Sequence, residues 1–375
     1  MRPRDWLSRF EARGDRLVAD LESLVSQESP SEDAERVTAL ARWVRDRLRG
    51  CGVRAETRPC PPRGEALVAR VGNGGRRALL LGHLDTVWSA GTLSEFPFAV
   101  DGDRVTGPGA FDMKAGIAVA IAVLGELAAQ GAGDATLLLV PDEEVGSAAS
   151  RELTLELARG HSSVLVLEPS LDGAAKVARK GHGKLDLSFR GRAAHAGLDP
   201  ERGASALAEL ARCVLFLETL ADPASGTTVS PTVARAGERV NVIPESASLF
   251  ADVRVWSQDE AERVEREIRA YRPSDARVTV EVAGGVDRPP LEPTAASMAL
   301  YERARLAAED LGIALDAARV GGASDGNFTA AAGIPTLDGL GPRGGGAHAR
   351  SEHVSLPDLA VRAALLAALL TDGGA

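Results

Sequence analysis

Short apolar runs that end abruptly in charged or glycine-rich turns alternate with stretches of helical spacing through the first half of the chain. The runs "EALVARV", "ALLLGHL", "ATLLLVP" and "SVLVLEP" have the length and content of buried strands. Between them, helical periodicity extends from Lys114 to about Gln130 and from near Ser147 to Ala158. This alternation predicts an α/β sheet covered by helices. After about Lys180 the pattern changes. "KLDLSFRGRAAHAG", a helix from Ala204 to Leu220, "TTVSPTVARAG", "SASLFADVRV", a helix from Asp259 to Ala270 and "ARVTVEVAGG" follow in β-α-β-β-α-β order, the order of a ferredoxin-like α+β unit. From about Leu291 helices and strands alternate again, ending in a helix from Pro357 to Leu370. The expected organisation is a first domain over 1–180 and 290–375, interrupted by an inserted domain over 181–289.

Composition narrows the classes. A chain of 375 residues with 45% hydrophobic content accommodates two globular domains. A formal net charge of −10 without a basic run argues against nucleic acid or an anionic membrane as partner, leaving a small molecule. No apolar run approaches the roughly 20 residues of a membrane span. The N-terminal "MRPRDWLSRFEARGDRLVADLE" reads as an amphipathic helix broken by charges, without the apolar segment of a signal peptide, so a cytoplasmic location is expected. Cys51, Cys60 and Cys213 form no CxxC pair and support neither a disulfide framework nor a thiolate metal site.

The stretch "LLLVPDEEVGS" sets Asp142, Glu143 and Glu144 side by side at a strand end. Like charges at contact distance raise one another's pKa unless a cation neutralises them. Taken alone, such a triplet is most simply a solvated turn. Other strand ends change that balance. His83 closes "ALLLGHL", and Asp85, two residues on, lies on the same face of an extended chain. A carboxylate on the far nitrogen is the usual partner of a metal-bound imidazole. Asp112 sits in the turn "GPGAFDMKAG" before a helix, where an N-cap is the plain alternative, and Glu168 follows "SVLVL". Open α/β sheets collect functional groups at strand ends, and these positions together point to one site. His161 and His182 are most simply surface or capping residues, whereas His348 follows the glycines of "GGGAHARSEHVSL".

In order, the chain carries "GHLDTV", "GPGAFDMKAG", "PDEEVGS", "LEPS", "GRAAHAG", "RVNVIPESA", "GGASDGNF" and "GAHARSEHV". With these eight motifs it resembles the M20 family of zinc metallopeptidases, in particular glutamate carboxypeptidases of the carboxypeptidase G type. The resemblance implies a dinuclear-zinc aminopeptidase/carboxypeptidase-like catalytic domain with an inserted lid and dimerisation domain, hence a homodimer. His83 and Glu168 would hold one Zn²⁺, Glu144 and His348 the second, and Asp112 would bridge them, with Co²⁺ or Mn²⁺ as substitutes. Imidazole and carboxylate ligands suit such ions, and a pair about 3.5 to 4 Å apart shares a hydroxide. Glu143, next to a ligand but not one itself, would be the general base, and Asp142 a turn residue. His195 matches the lid histidine that stabilises the oxyanion, reaching the partner subunit's site. Asn241, Arg254 and Arg288, and more weakly Lys176, match positions that hold the substrate's carboxylate, for which arginine's planar fork is suited. Gly322 and Ser324 would lie in the substrate-pocket loop.

Two positions depart from the pattern. Met113 stands where the carboxypeptidase G type has a second Asp and matches deacylase branches instead, and His353 stands where an aromatic is usual. His348 keeps the family's spacing to Glu352 and is the expected ligand. The leading functional expectation is a carboxypeptidase releasing a C-terminal amino acid such as glutamate from a peptide or N-acyl conjugate, with catalysis requiring lid closure. An N-acyl-amino-acid deacylase of the acetylornithine or succinyl-diaminopimelate type is the alternative. A non-catalytic binding protein on a hydrolase scaffold is a third reading, which leaves Glu143 without a purpose.

Overall fold

A computed structural model describes residues 3–72 and 77–371. Met1 and Arg2 of the expected N-terminal helix lie outside the described residues. Two compact units are present: Met1–Val177 with Pro293–Arg319 and Ser324–Ala375, and Ala178–Glu292 with Val320–Ala323. No helix among the described residues is long and apolar enough to cross a membrane.

The first unit is built on a six-stranded sheet in the order Arg54–Pro59, Glu65–Val71, Ala135–Val140, Ala78–His83, Val164–Val166, Thr336–Leu337. The last four strands run parallel, so their C-terminal ends share one edge. Ala78–His83 and Ala135–Val140 are buried along their whole length, as expected of central parallel strands. Alternate side chains divide between the faces: Leu80, Leu137 and Leu139 join the larger apolar core, and Leu79, Leu81, Leu138 and Val140 the smaller one. The helix Ala115–Gln130 packs in the larger core, where its second residue is Gly116; a Cβ there would lie 2.3 Å from the Leu167 carbonyl oxygen.

The inserted unit has an antiparallel sheet in the order Thr228–Ala236, Ser246–Val255, Gly181–Arg190, Thr279–Arg288. In strand order this is 2-3-1-4, the ferredoxin-like arrangement. Leu185, Leu187, Phe189, Leu249 and Val253 point inward against Leu210, Cys213, Leu217, Val264 and Ile268 of the helices Ala206–Thr219 and Gln258–Ala270. Both helices begin at a serine whose hydroxyl accepts a backbone N–H, from Ala208 to Ser205 and from Glu260 to Ser257.

Two helices differ from the sequence expectation. The N-terminal segment is two helices, Pro3–Glu11 and Gly14–Val25. The helix expected from Ser147 starts at Arg151, because Asp142 accepts the Ala149 N–H at 2.8 Å and the Ser150 hydroxyl at 2.5 Å and so holds this segment in a turn.

Candidate metal and catalytic site

His83 ends its strand 1% exposed. Its Nδ1 lies 2.9 Å from the backbone carbonyl of Asp85 and 3.5 Å from that residue's carboxylate, which leaves Nε2 directed at the site. The Asp85 carboxylate holds the neighbouring loop. The Glu143 N–H donates to its Oδ1 at 3.1 Å, and the Glu144 N–H and Ser31 hydroxyl donate to its Oδ2 at 3.2 and 2.7 Å. Asp85 therefore fixes both glutamates relative to the histidine strand.

Asp112 presents one oxygen to each of two imidazoles: Oδ1 is 3.3 Å from His83 Nε2 and Oδ2 is 3.3 Å from His348 Nε2. Glu168 reaches His83 Nε2 at 3.4 Å, and Glu144 reaches His348 Nε2 at 3.4 Å. His348 is an exposed residue with φ +62°, a left-handed conformation that non-glycine residues enter at a cost and that concentrates at functional sites. His353 lies elsewhere, its Nδ1 2.9 Å from the Ser351 carbonyl and 3.0 Å from Arg104 Nη2.

The carboxylates and imidazoles of the site shift one another strongly. Burial pushes the Glu144 carboxyl up to about 8, and its Oε1 is buried without a hydrogen-bond partner. His348 is raised to about 9, first by its bond to Asp112. Burial pulls against ionisation of both His83 and Asp112, yet their mutual contact and those to His348, Asp85 and Glu168 hold the imidazole well above, and the carboxyl below, its ordinary range. Among the described residues two ligand-sized groups result, His83 with Asp112 and Glu144, and His83 with Glu143 and Glu168. The donor set of imidazoles and carboxylates without thiolate, together with the orphaned Glu144 oxygen, fits hard or borderline divalent ions.

The remaining expected residues fall into separate places. In the inserted unit, His195 pairs with Val242, and the Ala196 N–H donates to the Asn241 carbonyl at 3.0 Å, so His195 and Asn241 are neighbours. His195 Nδ1 accepts the N–H groups of Gly197 and Leu198 at 3.1 Å each, which places the imidazole proton on Nε2. Arg254, His182 and Arg288 face one another in register across three adjacent strands. Asp252 grips Arg254 through two bonds of 2.9 and 3.1 Å and also meets His182 at 3.1 Å. The Gly322 carbonyl accepts from Arg179 at 3.2 Å. In the first unit, Lys176 pairs through its backbone with Asp338. Ser324 is fully buried, its hydroxyl donating to Asp338 at 2.5 Å and accepting from the Gly326 N–H at 3.1 Å; that side chain holds its loop together.

Sequence reasoning passed over Ser31, Trp88 and Asp252, and gave Glu352 only a spacing. The Glu352 carboxylate is 0% exposed and accepts four hydrogen bonds, including one from the Asp112 N–H. A glutamate four residues after the ligand-loop histidine was the available signal.

The parallel strands of this mixed sheet bring carboxylates and imidazoles together at their ends in an arrangement suited to holding divalent ions, as metal-dependent hydrolases require. The chain matches the model of peptidase family M20/M25/M40 over residues 79–372 and belongs to that family. It is 32% identical over 372 residues to carboxypeptidase G2 of Pseudomonas sp. (strain RS-16), covering 96% of this chain and 89% of that one. It is 30% identical over 246 residues to N-acetyl-L-citrulline deacetylase of Xanthomonas campestris, covering 62% of this chain and 64% of that protein. In fold it is similar to aminopeptidase PepT from Bacillus cereus, with a TM-score of 0.78, 22% identity and coverage of 96% and 98%.

Proposed function

We propose that this hydrolase is a carboxypeptidase that releases a C-terminal amino acid such as glutamate from a peptide or N-acyl conjugate. The single observation that carries the metal-dependent part is Asp112, whose two oxygens face His83 and His348 separately. His83 and Glu168 would hold one ion and Glu144 and His348 the other, with Asp112 shared; two Zn²⁺ fit this set, and Co²⁺ or Mn²⁺ can replace them. When bound, such ions polarise the scissile carbonyl and lower the pKa of water. Glu143, positioned through its backbone by Asp85, takes the water proton and returns it to the leaving amine.

His195 offers an Nε2–H, the donor needed where negative charge develops on the carbonyl oxygen. Arg254, Arg288 and Asn241 are the groups proposed to orient the substrate's terminal carboxylate, and similarity to carboxypeptidase G2 supports that choice. A homodimer formed through the inserted unit is supported by the exposed cross-strand apolar pair Val233 and Phe250 on its sheet. Mixing Glu143→Gln and His195→Ala proteins under subunit exchange regenerates activity if the histidine serves a partner's site; no recovery despite exchange rejects that role.

Met113 and the similarity to the deacetylase favour a second reading, an N-acyl-amino-acid deacylase using the same chemistry. Hydrolysis rates on N-acyl amino acids and on dipeptides ending in Glu or Asp decide between them. Preference for dipeptides and acyl-glutamates supports the carboxypeptidase, whereas turnover confined to N-acetyl or N-succinyl basic amino acids rejects it. Activity that survives chelation with no ion bound rejects the metal centre altogether.

A further inference from the structure

We propose that Glu352 is the positioning residue of the metal centre, a carboxylate that touches neither ion yet holds Asp112 in the orientation needed to serve both. The inference rests on the dinuclear reading above.

A fully buried carboxylate is costly unless its acceptor sites are filled. Those of Glu352 are filled from the surroundings of one ligand. Its Oε1 accepts the N–H groups of Phe111 and Asp112, each at 3.0 Å. Its Oε2 accepts the Gly109 N–H at 3.0 Å and the Trp88 indole N–H at 2.7 Å. Three of the four donors are therefore backbone amides of a single turn. Gly109, at φ +72°, lets them converge, and a Cβ there would lie 2.6 Å from the Thr86 methyl.

The same carboxylate refers two further ligand segments to that turn. Trp88 lies five residues beyond His83, and its indole is packed against Phe96 with ring centroids 5.7 Å apart. His348 lies four residues before Glu352 in a loop closed by the Glu352 N–H donating to the Ala349 carbonyl at 2.8 Å. Because Asp112 divides its oxygens between His83 and His348, rotating the turn misaligns both contacts at once. Outer hydrogen-bond partners of this kind typically contribute about 10- to 100-fold in metal affinity.

Glu352→Gln keeps the shape but replaces one acceptor oxygen with a donor amide, which must oppose one pair of the four N–H groups. Trp88→Phe removes a single donor and leaves the carboxylate intact. Metal-free full-length protein is titrated with Co²⁺, reading stoichiometry and affinity by calorimetry and coordination by the visible absorption bands, with folding followed by circular dichroism. Wild type is expected to take two Co²⁺ per chain. Glu352→Gln should bind the ions at least about tenfold more weakly with displaced bands, and Trp88→Phe a few-fold more weakly, both with unchanged secondary structure. Wild-type affinities and bands in both variants overturn the inference while leaving the dinuclear reading intact. If Glu352→Gln does not fold, Trp88→Phe decides, and unchanged binding there overturns it. A wild type that takes up no Co²⁺ removes the dinuclear reading itself, and this inference with it.

Discussion

In the first unit one group of buried charged side chains lies where strands end and loops converge. His83, Asp85 and Glu352 are 1% exposed or less, and each meets a group from a distant segment, Asp112, Ser31 and Trp88 respectively. In the inserted unit several ion pairs lie along one helix surface, Arg263 with Glu260 at 2.8 Å and Glu267 at 3.5 Å, and Arg269 with Glu265 at 3.0 Å. Glu209 is fully buried there and is satisfied by the Tyr271 hydroxyl, the Ser274 N–H and Arg212. The contrast separates two ways of specifying structure. An apolar core of alternating strand residues defines the inserted unit, whereas the first unit also carries a buried polar network that packing alone would not assemble.

The largest expected effect belongs to the polar side of this comparison. Glu143→Gln should lower turnover by about 10²- to 10⁴-fold with metal content unchanged, whereas Glu144→Gln should lose metal; steady-state kinetics with metal analysis distinguish them, and the reverse result exchanges the two roles. On the apolar side, Leu249→Ala opens the inserted core and should destabilise that unit by about 2–5 kcal/mol in urea unfolding. Metal affinity should remain at the wild-type value, and a parallel loss of metal would show that the two networks are coupled.

Metal addition should act on the first unit alone. At a free ion concentration of 100 times Kd the stabilisation is about 2.7 kcal/mol, read as a shift in the unfolding of that unit with the inserted unit's transition unmoved. The smallest effect is set by pH. Glu260 is held down to about 2 from 4.5, first by Arg263 and then by the Thr227 and Ser225 hydroxyls. Its folded value lies below its unfolded one, so the stabilisation is complete above pH 4.5 and is lost as pH falls toward 2. Glu260→Gln should remove this dependence and cost on the order of 1 kcal/mol at neutral pH, allowing for solvent screening of a surface pair. An unchanged acid unfolding curve would show that the pair contributes nothing.

Much of this architecture was legible in apolar periodicity. The runs ending at His83, Val140 and Val166 announce the parallel strands, and charged residues just beyond apolar runs announce the site. The inserted unit's strand order follows from its β-α-β-β-α-β pattern. The helix Ala34–Arg49 carries Val37, Leu40, Ala41, Val44 and Leu48 on one buried face, a helical spacing that a reading centred on strands passes over. The backbone partners stayed hidden for a different reason. Three of the Glu352 donors are amides, which every residue but proline possesses, so no residue type records them. Ser31 meets Asp85 from 54 positions away. Motif position places Ser324 near a ligand, yet its neighbours Asp338 and Gly326 claim the hydroxyl.

Gly116 carries a practical consequence. With only 2.3 Å between an added Cβ and the Leu167 carbonyl oxygen, two backbones meet at van der Waals distance, one leading away from Asp112 and the other leading into Glu168. The gap between those carboxylates is thus gauged by a missing methyl group. Anyone reshaping this site for a new substrate inherits that gauge: a larger residue at Gly116 would push the Asp112 and Glu168 segments apart before any substrate entered.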